Sequence, residues 1–361
     1  MTGNYDIAIV GAGMAGASLA AEMVGKARIL LLEAEDRPGY HATGRSAAFW
    51  TESYGGPEVQ PLTAASGPFL IENGFLAPRA ALTIGRAGQE SQVDAFVQRN
   101  AKLGVDIKRI EHDGMSSLVP GLREAWTCGA LEPSCCDIDV AALHQHYLAI
   151  ARKGGVDLQA RRPLRAAQAL AGGWDLQFDD NSRVRAGLLV NAAGAWADDV
   201  AKCAGVQPLG IVPYRRTVAR LNVSPAVPDR LPLVLDVSGK FYFKPESGRL
   251  WLSPHDETPS PACDVAPEEI DVATAIDRLE SVVDWSVERV EHRWAGLRSF
   301  AADRLPVYGF DPILPQFFWF AGQGGFGIQS APAAARLAAG LILDIQQESF
   351  DPGRFAPARF H

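Results

Sequence analysis

The apolar run Tyr5–Val10 feeds directly into Gly11-Ala-Gly-Met-Ala-Gly16, and no other junction in the chain constrains the fold as much. Its aliphatic residues favour an extended strand, the glycines a tight turn, and Ala17-Ser-Leu-Ala-Ala-Glu22 a small-residue helix. A second apolar run, Ile29-Leu-Leu-Leu32, ends in Glu33. Strand, glycine turn, helix, strand and acid, in that order, describe a β–α–β unit that binds a dinucleotide. Gly11 permits the turn, Gly13 lets the backbone approach a pyrophosphate, and Gly16 lets helix and strand pack closely. The N–H groups of the first helical turn, around Met14 and Ala15, suit phosphate oxygens. Glu33, followed by Ala34, lies where a carboxylate accepts hydrogen bonds from ribose hydroxyls, which favours a ribose without a 2′-phosphate.

The 361 residues suffice for two domains, or for one large α/β body with an insertion. With 47% hydrophobic and 21% charged residues, a sizeable core is expected and long disorder is not. A formal charge of −8, from 34 basic and 42 acidic residues, argues against a nucleic-acid partner. A local arginine cluster can still bind a small anion. The N-terminal residues lack the basic start and apolar centre of a signal peptide. The most apolar helix candidate, Ala331 to Ile345, contains Pro332 and Arg336 and is too short to span a bilayer. A soluble, cytoplasmic chain without a transmembrane segment is therefore expected. The 5 cysteines form no CxxC pair or metal spacing, so no metal site is expected and adjacent Cys135-Cys136 read as packed thiols.

Two further signals follow the first. Ala186–Val190 reads as a buried strand that ends in Asn191-Ala-Ala-Gly194, then a helix through Val200. The near absence of side chains at Ala192, Ala193 and Gly194 lets a ligand, or another backbone, pass close by. Near the C-terminus the aromatic run Phe317–Phe320 enters Gly322-Gln-Gly-Gly-Phe-Gly327, and an alanine-rich helix follows from about Ser330. Such a turn exposes N–H groups beside a positive helix end, which suits a developing negative charge; the alternative is a helix cap with a loop. Between Val212 and Ala295, short β-like runs such as Thr217–Leu221, Leu231–Leu235, Phe241–Phe243 and Arg249–Leu252 are punctuated by Pro and Gly. They indicate an inserted, mostly antiparallel sheet, with a helix over about Pro267–Val282 and a strand over His292–Leu297. The fold class expected is α/β, a Rossmann-like nucleotide domain carrying a mostly antiparallel α+β substrate domain. Ligands in such architectures sit where the two domains meet.

Five segments taken in order resemble the D-amino-acid oxidase and glycine oxidase superfamily of FAD-dependent amine oxidoreductases. They are Gly39-Tyr-His-Ala-Thr-Gly-Arg-Ser-Ala-Ala48, Leu62-Thr-Ala-Ala-Ser66, Leu189-Val-Asn-Ala-Ala-Gly-Ala-Trp196, Trp294-Ala-Gly-Leu-Arg-Ser-Phe300 and Gln323-Gly-Gly-Phe-Gly-Ile-Gln329. Within that superfamily the chain is most similar to the bacterial D-arginine dehydrogenase type of D-amino-acid dehydrogenase. The resemblance implies FAD, held without a covalent bond although His41 invites one. Residues 1–75, 138–206 and 296–361 would then form the FAD-binding domain, and 76–137 with 207–295 the substrate-binding domain. The fingerprint residues would hold the ADP half, with Ala193, Gly194 and Trp196 nearby. Thr43, Gly44, Arg45, Ser46, Ala47 and Ala48, together with Gly324, Gly325, Phe326, Gly327, Ile328 and Gln329, would surround the isoalloxazine.

The resemblance also carries over Arg216 and Arg298 as clamps on an amino-acid carboxylate, with Arg298 close to the flavin. A planar guanidinium matches a carboxylate bidentately. Tyr54 and Tyr242 correspond to pocket tyrosines, and the Gly325 carbonyl and Gln329 lie near the amine. The competing readings are a solvated Arg215–Arg216 pair and two core tyrosines. Two positions depart from the arginine-oxidising pattern: Ala81 stands in place of an acid, and Phe49-Trp50 precede Thr51 where that pattern has histidine and tyrosine. Loss of the acid removes the charge that would hold a cationic side chain, and the aromatic pair makes the pocket drier; Glu52 is a candidate replacement carboxylate, against the favoured reading of a solvated loop glutamate. The expected reaction is oxidative deamination of a neutral, apolar or aromatic D-amino acid to an imino acid, with a quinone, a dye or oxygen as electron acceptor. The alternatives are a sarcosine- or glycine-type amine oxidase, and a flavoprotein that keeps FAD as a structural element.

Overall fold

The structure is a computed structural model that describes residues 4–47, 49–345 and 351–360. Asn4–Val10 pairs in parallel with Ile29–Leu32 on one side and with Arg183–Asn191 on the other. Ile29–Leu32 continues to Asp157–Gln159, and Arg183–Asn191 to Phe317–Ala321, also in parallel. Segments far apart in the chain thus return to one eight-stranded sheet. Every residue of Ile29–Leu32 and Phe317–Ala321 is buried, as parallel strands covered on both faces must be. Alternation divides them between two cores. Ile7, Ile9, Leu31, Val190, Phe318 and Phe320 pack with the helices Met14–Glu22, Val140–Lys153 and Ala331–Ile342. Ala8, Val10, Leu30, Leu32, Phe317 and Trp319 pack on the other side with the helix Ala197–Cys203.

A second sheet of nine strands is antiparallel except where Leu233–Asp236 meets Ala81–Arg86. Its longest members, Val212–Ser224 and Ser286–Phe300, pair along their length with Arg216 opposite Gly296 and Tyr214 opposite Arg298. Arg249–Ser253, Tyr242–Glu246 and Leu233–Asp236 follow in spatial order, then Ala81–Arg86, Trp126–Glu132 and Lys108–Glu111. The period of two again separates the faces. Leu82, Ala219, Leu221, Val234, Phe243, Leu250 and Leu252 bury against the helix Glu269–Val282 and against Met115. The opposite face carries Ala81, Val218, Leu233 and Tyr242, which pack with Ala47, Phe49 and Cys135. A slip of one residue in any of these pairings would exchange the two sets.

This is the α/β architecture expected, with a Rossmann-like sheet and a mostly antiparallel second one. The helix expected from Pro267 begins two residues later, at Glu269, with Glu268 as its N-cap. A small three-stranded sheet, Phe49–Trp50 with Cys136–Ile138 and Leu76–Pro78, was not legible in the sequence. Cys135 and Cys136 are free, with Cys135 fully buried. Among the described residues, no helix is long and apolar enough to cross a membrane.

Candidate active site

One elongated cavity of about 470 Å³ runs between the two sheets. Its first end is the glycine turn. Gly11 has φ +101°, and a side chain there would put its Cβ 2.5 Å from the Ala192 carbonyl oxygen. A Cβ on Gly16 would lie 1.8 Å from the Gly11 carbonyl oxygen, so the helix rests on the turn through a bare glycine. Gly13, Met14 and Ala15 line the cavity, and Thr43 Oγ1 accepts a hydrogen bond from the Met14 N–H at 2.9 Å. Glu33 lies at the same end, its carboxylate accepting from Ala12 N at 3.2 Å and Glu35 N at 3.0 Å. Burial pushes that carboxyl above its ordinary value, and these N–H groups hold it back. Ala34, Ala193, Gly194 and Trp196 complete this wall. His41 is spoken for: its Nε2 meets Glu35 Oε1 at 2.8 Å, and its ring centroid lies 4.5 Å from that of Trp196. A glycine-floored turn, a helix start and a buried acid along one cleft fit an extended adenine dinucleotide.

The middle is closed by a strap. Thr43, Ser46 and Ala47 line the wall, while Arg45 reaches across to the segment Cys263–Val265, bonding the Val265 carbonyl at 3.2 Å and pairing with Asp264. The Tyr40 hydroxyl donates to the same Asp264 at 3.1 Å. Arg45 is therefore committed to protein partners. Ala48 lies outside the described residues.

At the far end the second glycine turn docks on the strand that bears Arg298. Gly324 N donates to the Ser299 carbonyl at 2.9 Å, and a Cβ on Gly324 would meet the Phe300 ring at 2.2 Å. Gly324, Gly325, Gly327 and Ile328 line the cavity opposite Arg216, Tyr242 and Arg298. Arg298 Nη1 donates to the Tyr54 hydroxyl at 2.8 Å. Burial raises the Tyr54 phenol, but the charges of Arg298 and Arg216 outweigh it and leave the group below its ordinary value. Arg216 is 4% exposed; its Nε donates to the Asp256 carbonyl at 2.7 Å and its Nη2 to Glu257 at 3.1 Å. Its Nη1 and the Tyr242 hydroxyl are buried without a partner. Burial, then Arg298, pushes the Arg216 pKa down.

Several expected site residues stand behind this wall. Phe49 packs edge-on to Tyr54 and Tyr242, at 5.8 and 6.0 Å between centroids, and Ala81 joins the same cluster. Trp50 faces the other way, because neighbours in a strand point to opposite faces. Its Nε1 donates to the Thr63 carbonyl at 3.0 Å and its ring covers Gly67, so it belongs to the core of the first sheet. Gln329 is likewise turned inward, its amide donating to the Tyr54 carbonyl at 3.2 Å and to Thr63 Oγ1 at 2.9 Å. Gly44 N closes the 39–44 turn on the Gly39 carbonyl, and Phe326 packs with Val59 and Phe300. Glu52 is half-buried, with its carboxylate accepting from Gln60, and burial followed by the charge of Glu132 raises its pKa.

The loop His255-Asp-Glu257 carried no sequence signal, yet it backs the arginine. His255 stands edge-on to Tyr242 at 5.7 Å between centroids and donates from Nδ1 to the Gly239 carbonyl. Burial, then Arg216 and Arg298, lowers its pKa to about 3. Among the described residues, no group of three or more His, Cys, Asp or Glu could hold a metal ion.

The model of the DAO family, FAD dependent oxidoreductase, matches residues 6–341. Among curated proteins, FAD-dependent oxidoreductase domain-containing protein 1 from Xenopus laevis is 25% identical over 203 residues, covering 50% of this chain and 40% of that relative. The match thus spans less than half of the relative's own length. Among solved structures, L-proline dehydrogenase from P. horikoshii has a TM-score of 0.88 at 19% identity, covering 100% of this chain and 98% of that one. Glycine oxidase from Geobacillus kaustophilus has a TM-score of 0.86 at 22% identity, covering 99% of each chain. At these identities the two structures establish the fold.

Proposed function

The chain belongs to the DAO family of FAD-dependent oxidoreductases, and from that premise we propose that it oxidises a neutral D-amino acid with an apolar or aromatic side chain. The imino acid formed then reacts with water to give a 2-oxo acid and ammonia. FAD, when bound, supplies a two-electron acceptor for the hydride that leaves the substrate α-carbon. Gly11, Gly13, Met14 and Glu33 hold its adenosine and pyrophosphate part, and the 43–47 and 324–328 segments its ring. With His41 engaged by Glu35 and Trp196, the cofactor is held without a covalent bond.

One observation carries the substrate reading. Arg216 Nη1 and the Tyr242 hydroxyl are buried without partners beside Arg298, whose hydrogen bond among the described residues goes to the Tyr54 hydroxyl. Two guanidiniums and a hydroxyl line the same cavity, and an α-carboxylate can accept from all three. A charge-assisted hydrogen bond of this kind contributes about 1.5–3 kcal/mol. Fixing the carboxylate aims the α-carbon, and orientation is the chain's main contribution to rate. No carboxylate or histidine among the described residues lines this end of the cavity. The amine therefore loses its proton to water, and the rate rises with pH until the substrate is fully in its free-base form.

The neutral side chain follows from the wall beyond Tyr242. Phe49, Ala81 and Leu233 cluster there behind Val218 and Tyr242, which line the cavity. Glu132, paired opposite Ala81, is 1% exposed and already accepts from Thr51 Oγ1, Ser53 Oγ and Glu52 N. It is held by these protein donors and does not line the cavity, so it offers no partner to a guanidinium there. A panel of D- and L-amino acids, assayed by peroxide release and by dye reduction, tests the proposal. D-Leu, D-Met and D-Phe are expected to outpace D-Arg and D-Lys; a tenfold preference for the cationic pair would overturn it. A second reading, a small or secondary amino acid, draws on the glycine and L-proline in the names of the two solved structures. Fast turnover of glycine, sarcosine or proline, with none of D-Leu, would favour it.

A further inference from the structure

Arg216 is held on one side only. Its Nε donates to the Asp256 carbonyl at 2.7 Å and its Nη2 to Glu257 Oε1 at 3.1 Å. These two donors share one edge of the guanidinium plane, and Nη1 at the other end stays buried and unpaired. Glu257 is fixed in turn from the solvent side. Arg304 Nη2 donates to its Oε1 at 2.8 Å and to its Oε2 at 3.0 Å. The chain Arg304–Glu257–Arg216 therefore runs from the surface, where the Arg304 side chain is 50% exposed, to a guanidinium side chain 4% exposed.

Charge decides what this arrangement accepts. Arg216 and Arg298 bring two positive charges to the buried end of the cavity, and Glu257, 3.1 Å from Arg216 Nη2, offsets part of that charge. The outer charge of Arg304 is screened by solvent. One carboxylate completes the neutralisation. Glu257 stands behind Arg216 and not in the cavity wall, so a second carboxylate on the ligand would feel its charge through the guanidinium and find no cation left to receive it.

We infer that Glu257 is a specificity-determining positioning residue: it turns the Nη1 end of Arg216 toward the cavity and restricts the site to ligands with a single carboxylate. This rests on the two-arginine reading proposed above. Butanoate and succinate test it, since they share a four-carbon chain and differ in one carboxylate. Their dissociation constants are read from the absorbance change of the bound flavin in the intact holoenzyme. The native protein is expected to prefer butanoate by at least tenfold. Glu257→Gln should narrow or reverse that preference by at least a further tenfold, whereas Glu257→Asp, which keeps the charge, should stay within threefold of native. Flavin content and melting temperature establish that each variant is folded. Butanoate binding by both native protein and Glu257→Gln, with a preference unchanged within twofold, overturns the role of Glu257 alone. Failure of the native holoenzyme to bind butanoate overturns the carboxylate site itself, and this inference with it.

Discussion

Arg298 Nη1 donates to the Tyr54 hydroxyl at 2.8 Å, and both atoms lie against the backbone of Gly325. The contact joins the antiparallel sheet, the 51–56 loop and the C-terminal glycine turn at one point. Arg298→Ala is expected to lower kcat/KM at least a hundredfold, mostly through KM, which corresponds to about 2.7 kcal/mol of lost binding to the transition state. Steady-state kinetics with the best D-amino acid measures it. A loss under threefold would remove the clamp from the account.

Gly325 probes the same junction without removing a charge. Its φ lies outside the left-handed region, so alanine fits the backbone, but the new Cβ would lie 2.4 Å from the Tyr54 hydroxyl and 2.8 Å from Arg298 Nη1. Gly325→Ala should therefore displace both groups and cut kcat/KM at least tenfold, about 1.4 kcal/mol. Equal kinetics with and without the methyl would contradict the geometry.

The cofactor end was legible because its parts are contiguous. Gly11 to Gly16 and Glu33 sit within one β–α–β unit, so local pattern and tertiary role coincide. The arginines were legible as types but not as neighbours. Arg216 and Arg298 come together only through the pairing of two long strands, Tyr214 opposite Arg298 and Arg216 opposite Gly296, and register is not written in either strand alone. Phe49 and Trp50 show the opposite failure. Both were assigned to the pocket, yet alternation sends adjacent residues to opposite faces, and only Phe49 stays with Tyr242. His255 and Glu257 sit in a loop whose composition signals nothing; their place depends on Tyr242, Arg216 and Arg304 arriving from other elements.

Glu33 sets cofactor affinity against stability. Burial raises its folded-state pKa, so its charged form costs the fold free energy at neutral pH. Ala12 N donates to Oε2 and Glu35 N to Oε1, so Glu33→Gln keeps an acceptor for only one of them and loses the acceptor strength a ribose requires. FAD should dissociate from this variant at least ten times more readily, as followed by flavin fluorescence. Unchanged FAD affinity would move the adenosine away from Glu33.

His255 gives the acid limb of stability a defined sign. Its folded pKa is about 3 against an ordinary 6.5, so between these values the folded chain binds fewer protons than the unfolded one. Stability contributed by the neutral ring is present above 6.5 and is lost as pH falls toward 3. His255→Asn tolerates the φ of +55° at this position and has nothing to titrate. Its melting temperature should fall less steeply than native across that window; parallel curves would contradict the assignment.

The central claim is that a carboxylate gripped by Arg216 and Arg298 presents its α-carbon to FAD in this cavity. Anaerobic titration of the flavin-loaded protein with D-leucine reads it without any electron acceptor. The account predicts that the flavin absorbance bleaches in proportion to added substrate, with one equivalent each of 2-oxo acid and ammonia released. A yellow colour that persists with every amino acid of either configuration would contradict it.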